Sequence, residues 1–167
     1  MIYLRLVVTV TLASMAATGA LAQTPQRTTA TYGDWTVRCE RHDSAKVCEM
    51  AQAMQIKGRP QPISQIAIGR QDKKGAMKII FEVPINVWLR DGVTLAVDDE
   101  EATIKASFTR CIPAGCFAEA DLKQAAVDKF RQPKKSGRLQ FKDAARQKIA
   151  IPVSFKGFPA AYDALNK

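Results

Sequence analysis

The side chains of this chain with the clearest chemistry are its four cysteines, which fall into two close pairs, Cys39 with Cys48 and Cys111 with Cys116. Such pairs can form disulfide staples, a dithiol redox couple or a metal thiolate site. A redox couple usually needs C-x-x-C at a helix N-terminus, where the backbone dipole favours the thiolate. Here the intervals are longer, and both read as hairpin connections. Glu40–Lys46 is polar except for Ala45, and Ile112-Pro113-Ala114-Gly115 carries the proline and glycine of a chain reversal. Four sulfurs oxidised in pairs cannot ligate zinc. Four cysteines permit three connectivities. Chain entropy would reward a long bridge such as Cys39 to Cys116 by about 4 to 5 kcal/mol, against about 2 to 3 kcal/mol for each local loop. Strand geometry favours two local closures, and a bridge forms only where the Cβ atoms already meet, so the geometric reading is adopted.

Other catalytic groups are sparse. The single histidine, His42, lies in the polar loop beside Arg41 and Asp43, with no nucleophile at a defined spacing. No S-x-x-K occurs after residue 22, so a Ser-Lys dyad has no local signature. The run Asp98-Asp99-Glu100-Glu101 offers clustered oxygens for a hard cation but lacks calcium-loop spacing and an internal glycine, and reads as a solvated turn. The expectation is therefore no catalytic residue, no metal site and no cofactor. An envelope enzyme or thiol oxidoreductase is the alternative, and it would require a reducible cysteine pair.

The elements that must position these residues begin with an export signal. Arg5, the apolar stretch Leu6–Ala13 and the small-residue end Ala20-Leu21-Ala22 form a signal peptide over residues 1–22. Thr9, Thr11, Ser14, Thr18 and Gly19 interrupt the apolar run, and no second run of spanning length follows, so no transmembrane segment is expected after cleavage. The mature protein is expected in an oxidising compartment: secreted across the inner membrane, periplasmic, with outer-membrane association as an option. Residues 23–31 read as a polar N-terminus without fixed structure, and residues 32–167 as one domain.

From Tyr32 onward apolar residues alternate between explicit turns, which is the pattern of strands. The candidates are Asp34–Cys39, Val47–Gln55, Ile63–Gly69, Met77–Val83, Asn86–Leu89, Val93–Val97, Thr103–Cys111, Cys116–Ala118, Arg138–Lys142 and Lys148–Phe155. Many short strands with hairpin turns specify an antiparallel sandwich or barrel. Leu122, Ala126 and Phe130 at helical spacing predict one helix, with Asp121 as N-cap, and Pro159–Leu165 predicts a second that lays Ala160, Tyr162 and Leu165 on the sheet. The expected core includes Trp35, Trp88, Ile104, Phe108, Ile149, Ile151 and Val153.

Charge is unevenly spread. The formal net charge is +9, and residues 23–128 balance basic against acidic residues. Residues 129–148 hold Lys129, Arg131, Lys134, Lys135, Arg138, Lys142, Arg146 and Lys148 against Asp143 alone. Alternation turns Arg138 and Lys142 outward while Leu139 and Phe141 point in. These eight residues are either a solvated face or a polyanion site. The polyanions an exported protein meets are lipopolysaccharide phosphates, anionic headgroups and sulfated glycans. Nucleic acid is misplaced for such a protein, and Phe130 and Phe141 are claimed by the core rather than free to stack on bases.

Three segments resemble a known family. Tyr32-Gly33-Asp34-Trp35 followed by Cys39 and Cys48, the hairpin Arg110-Cys111-Ile112-Pro113-Ala114-Gly115-Cys116, and the ending Pro152–Phe158 before Ala160 and Leu165 are similar to the invasion-associated locus B proteins exported by alphaproteobacteria. The resemblance implies an all-β fold, an immunoglobulin-like antiparallel β-sandwich with one or two short helices and two local disulfides. Taken with export, the staples and the missing catalytic groups, it points to a non-enzymatic envelope interaction domain with a protein of the envelope or of a host as partner, and sets it in the context of host-cell invasion or envelope integrity. The family has no catalytic residues to transfer, so the cysteines alone carry over, as structural elements. The basic stretch around Lys134 is not part of the family pattern.

Overall fold

The computed structural model describes residues 26–42, 45–55, 58, 60–70, 75–98, 102–132 and 136–167. The signal reading (1–22), Lys134, Lys135 and the acidic residues 99–101 lie outside them. Among the described residues ten strands form: β1 (Arg27–Tyr32), β2 (Trp35–His42), β3 (Ala45–Met54), β4 (Ser64–Gly69), β5 (Lys78–Val83), β6 (Val93–Val97), β7 (Ala102–Ile112), β8 (Gly115–Asp121), β9 (Ser136–Lys142) and β10 (Lys148–Ser154). They pair antiparallel in the order β1-β2-β3-β4-β5-β8-β7-β6-β9-β10. Helices α1 (Gln124–Phe130) and α2 (Phe158–Leu165) complete the fold.

Strand β7 divides the ribbon into two layers. Its first half pairs with β6 and its second half with β8, with register shifts at Leu95/Ala96 and at Phe108/Arg110. Such irregularities let a strand bend from one sheet into another. One layer holds β1 to β5, β8 and the end of β7; the other holds the start of β7 with β6, β9 and β10. Strands β6, β7 and β8 are successive, and β9 returns beside β6 through the connection that carries α1. This is a Greek key, the connectivity of most β-sandwiches, the immunoglobulin-like ones included.

Strict alternation builds the core between the layers. Ser64, Ile66 and Ile68 of β4 and Ile79, Phe81 and Val83 of β5 face inward, meeting Leu95, Leu139, Ile151 and Val153 of the second layer. Phe158 organises one end: its ring lies 5.3 Å from both Trp35 and Phe130 in edge-on contacts, while Phe130 stacks on Phe155 at 4.7 Å. Edge-on and offset stacked pairs are worth roughly 0.5–1.5 kcal/mol each beyond their buried area.

The chain ends meet in this same region. Gln52 of β3 is a buried amide, and it treats Ser154 of β10 as a strand partner. Its Nε2 donates to the Ser154 carbonyl at 2.7 Å, and its Oε1 accepts from the Ser154 N–H at 2.9 Å. Trp35 Nε1 donates to the same carbonyl at 2.9 Å. Ser154 Oγ donates to Asp34 at 2.6 Å, and the Asp34 N–H donates to the Lys156 carbonyl at 3.0 Å. The Gly33-Asp34-Trp35 and Ser154–Phe158 segments, at opposite ends of the domain, thus form one clasp. Glycine is required there: Gly157 has φ +85° and its absent Cβ would lie 1.9 Å from the Tyr32 carbonyl oxygen.

Both disulfides are local, Cys39–Cys48 and Cys111–Cys116, with Cα separations of 4.1 and 4.0 Å across directly opposed positions. Several expectations differ from the structure. Residues 27–31, expected without fixed structure, pair along their whole length as β1, because their threonines suit an edge strand although no described residue covers them. Asn86–Leu89 is not a strand; Val87 makes one bridge, to Asp143, and Leu89–Asp91 is a 3-10 turn. Helix α1 begins two residues late, since Asp121 ends β8, where it faces Lys78 instead of capping. In α2 the buried residues are Phe158, Ala161 and Leu165, while Ala160 is exposed. Trp88 is half-buried beneath Arg146, 4.2 Å from its ring, so it belongs to the surface more than the core. Phe108 and Ile149 pack on the core only partly buried, whereas Trp35, Ile104, Ile151 and Val153 are within it.

Candidate interaction face

The two layers present outer faces of opposite electrostatic design. On the first layer, cations stand opposite carboxylates in register. Arg27 faces Glu40 at 2.6 Å, Arg38 faces Glu49 at 4.0 Å and Lys78 faces Asp121 at 3.6 Å. Arg110 pairs with Glu119 at 3.0 Å and lies over the Phe117 ring. Such exposed pairs add little stability, but they leave the face close to neutral.

The second layer does the reverse. Its inward positions are Leu95, Ile104, Leu139, Phe141, Ile151 and Val153, so alternation turns Thr94 of β6, Lys105 of β7, Arg138, Gln140 and Lys142 of β9, and Lys148, Ala150 and Pro152 of β10 outward. No carboxylate occupies any of these outward positions. Lys142 stands directly opposite Lys148, and Gln140 lies between Ala150 and Thr94, which in turn faces Lys105. Like charges directly opposed weaken a strand pair. Asp91, on the rim, offsets this by taking Lys142 at 2.5 Å. The hydrogen bond from Lys142 holds the Asp91 carboxyl below the usual carboxylate range, helped by Trp88 and the charge of Arg146 and opposed by partial desolvation. Between these groups lies a depression of about 200 Å³, lined by Asp91, Thr94, Gln140, Lys142, Lys148 and Ala150 among others. A small anion seated there would meet two ammonium groups, an amide and a hydroxyl, with Asp91 at one margin.

The eight basic residues singled out in the sequence do not form one cluster. The structure brings Arg138, Lys142 and Lys148 onto this face. Arg131 is instead committed to α2, ion-paired to Asp163 and 5.2 Å from the Tyr162 ring. Its hydrogen bond to Asp163 lowers that carboxyl and raises the guanidinium. Lys129 lies half-buried on α1, and Arg146 covers Trp88 at the β9–β10 turn. Lys105, which the sequence reading did not single out, joins the face although it stands outside the basic stretch; alternation between Ile104 and Ala106 is a local signal that it points outward, but carries nothing about which strands lie beside it.

The cysteines hold the opposite layer together. All four are bonded, and Cys39 and Cys116 are buried. They sit within strands, not at helix N-termini, so no backbone dipole is aimed at a sulfur to stabilise a thiolate. His42 ends β2. Among the described residues, no three His, Cys, Asp or Glu side chains are grouped to hold a metal ion. Among them, too, no helix is long and apolar enough to cross a membrane.

Comparison with known proteins gives one consistent family. A family profile described as "Invasion associated locus B (IalB) protein" matches residues 35–166. An invasion protein B homolog of Brucella abortus (strain 2308) is 27% identical over 136 residues, covering 81% of this chain and 78% of the relative. Invasion protein B of Bartonella bacilliformis is 27% identical over 88 residues, covering 53% of this chain and 46% of that protein. The crystal structure of invasion associated protein b from Bartonella henselae superposes with a TM-score of 0.72 at 24% identity, over 83% of this chain and 94% of that one, which establishes the shared fold. With the profile spanning both the Trp35 and the Phe158 segments of the clasp, the chain belongs to the invasion associated locus B family.

Proposed function

We propose that the domain acts at the cell envelope by binding a polyanionic surface, lipopolysaccharide phosphates above all, through the outer face of its second layer. The observation that carries this reading is Lys142 opposed to Lys148, beside Arg138 and Lys105, on a face whose outward strand positions hold no carboxylate. On the outer face of the first layer the corresponding strand cations are paired with carboxylates, and the like-charge pair of that layer, Arg41 opposite Lys46, stands at the end of the β2–β3 hairpin. A like-charge pair in register works against folding and is consistent with a face kept for a ligand. The relatives carry invasion in their names, and surface contact is a physical step from which such a role could follow.

The test is sedimentation of the mature protein with lipopolysaccharide-containing vesicles and with zwitterionic ones, across a salt series. Each basic residue at an anionic surface contributes about 1 kcal/mol. The double variant Lys105→Ser/Lys148→Ser, which spares the Lys142–Asp91 pair, is therefore expected to bind roughly thirtyfold more weakly at low salt. Lys78→Ser on the first layer should bind as the native protein does. Equal binding to zwitterionic vesicles, or affinity unmoved by salt, would refute the proposal. Vesicles of phosphatidylglycerol separate a general need for phosphate from a need for the lipopolysaccharide headgroup.

A further inference from the structure

The ten-stranded order leaves β1 and β10 as its terminal strands. An open strand edge is a template for another strand, and proteins commonly blunt it with proline, charge or a covering segment. Strand β10 has all three: Pro152 within it, Lys148 at its start, and Gln52 and Trp35 on the backbone of Ser154. Strand β1 has no proline and no covering segment among the described residues, and its single charge, Arg27 at its start, is paired to Glu40. Thr28, Thr29, Ala30 and Thr31 are uncharged and exposed, the strand contains no proline, and its register with β2 runs unbroken from Arg27 to Tyr32.

The direction of the free backbone groups can be derived. The Arg41 N–H donates to the Gln26 carbonyl at 2.8 Å, so Gln26 turns its groups toward β2 and so, by alternation, do Thr28 and Ala30. Cys39 supports this phase independently. It is 4.1 Å from Cys48 across β3, the close spacing of a pair without mutual hydrogen bonds, so its own N–H and carbonyl face Thr28. Arg27, Thr29 and Thr31 therefore present their N–H and carbonyl groups to the open edge.

We propose that β1 pairs antiparallel with β1 of a second copy of this chain, about a two-fold axis at Thr29. In this register Thr29 faces its own copy, Arg27 faces Thr31 and Thr28 faces Ala30. Every residue that offers free backbone groups meets another that does. No like charges are opposed, since Arg27 lies away from its copy and is already engaged by Glu40 at 2.6 Å. Threonine pairs across strands are favourable. The segment is thus self-complementary, as an isologous interface must be. A two-strand contact of this length is small, so the dimer is expected to form reversibly with concentration.

Sedimentation velocity of the mature protein over a wide concentration range should show a monomer–dimer equilibrium. Thr29→Pro removes an N–H that points to the edge and leaves the ladder to β2 intact. By symmetry it deletes two intersubunit hydrogen bonds, weakening the dimer about thirtyfold. Thr29→Lys sets two like charges on the axis without removing a donor, and should also dissociate the dimer. In the native protein, amide exchange at Arg27, Thr29 and Thr31 should slow with concentration, while Thr28 and Ala30 stay unchanged. A protein monomeric at every concentration, or a dimer unaffected by Thr29→Lys, would overturn the proposal. A monomer that instead protects these three amides on adding an unrelated strand-forming peptide would assign the edge to a foreign partner and overturn it equally.

Discussion

Replacing Gln52 by leucine tests whether one buried amide joins the two layers. The substitution keeps the approximate volume and removes two hydrogen bonds to Ser154, of 2.7 and 2.9 Å. The losses are unequal. The Ser154 carbonyl retains Trp35 Nε1 at 2.9 Å, so losing the amide donor there costs about 0.5–1 kcal/mol. The Ser154 N–H loses the acceptor it has in the native protein, and an unsatisfied buried donor costs about 1–3 kcal/mol. The expected destabilisation is about 1.5–4 kcal/mol, or a fall in Tm of roughly 5–16 °C for a domain of this size. Gln52→Glu separates geometry from polarity. At neutral pH its carboxylate accepts from the Ser154 N–H but repels the Ser154 carbonyl, so the variant should be less stable than Gln52→Leu. Burial raises the pKa of that carboxyl above its unfolded value, near 4.3. The penalty is therefore full above the folded pKa, and it fades toward acid as the protonated acid donates again. Urea unfolding followed by tryptophan fluorescence measures both variants. A Gln52→Leu protein within about 0.5 kcal/mol of the native one, at unchanged denaturant dependence, would refute the clasp.

Gly157→Ala should be among the most damaging single changes, about 4 kcal/mol or more by calorimetry, because the added Cβ would lie 1.9 Å from the Tyr32 carbonyl oxygen. Gly58→Ala is its control: φ is +87° but nothing lies within 4 Å, so it should cost only the left-handed backbone penalty of about 1 kcal/mol. Opening the disulfides as Cys39→Ala/Cys48→Ala and as Cys111→Ala/Cys116→Ala should lower stability by about 2.6 and about 2 kcal/mol, in the order of their loops, whose sequence separations are 9 and 5; equal melting curves under non-reducing conditions would contradict this. The Asp91 carboxyl should titrate below the ordinary aspartate range, with Lys142 as the principal cause. Its stabilising contribution is then present above the unfolded pKa, near 3.9, and lost as pH falls through the lower folded value. NMR titration should show the Asp91 midpoint rising toward the ordinary range in Lys142→Gln, and an unmoved midpoint would exclude the pair as the cause.

Local pattern was enough to read most strands, both hairpin disulfides and the existence of two helices. Alternation is a property of neighbouring residues, as in Ile149, Ile151 and Val153, and a hairpin short enough to place Cys111 opposite Cys116 leaves little choice of register. Inward and outward directions along β9 were legible for the same reason: Leu139 and Phe141 cannot both be buried unless Arg138 and Lys142 turn out. Core membership was less legible, because Trp88 has the side chain of a core residue but sits where only Arg146 covers it. Strand β1 was missed because its threonines bury nothing, and burial is the signal that alternation reports. Pairing between distant segments is set by packing, not by local sequence. Nothing along the chain shows that β6 lies between β7 and β9, which puts Lys105 beside the lysines of the basic stretch and sends Arg131 to Asp163. Nor does it show that Gln52 meets Ser154, or that Gly33 and Gly157 leave room for each other's backbone. Residue types and spacing establish which groups the strands expose. The bend of β7 and the closure by Gln52 settle which of those groups share a face, since those contacts exist only once both layers have formed.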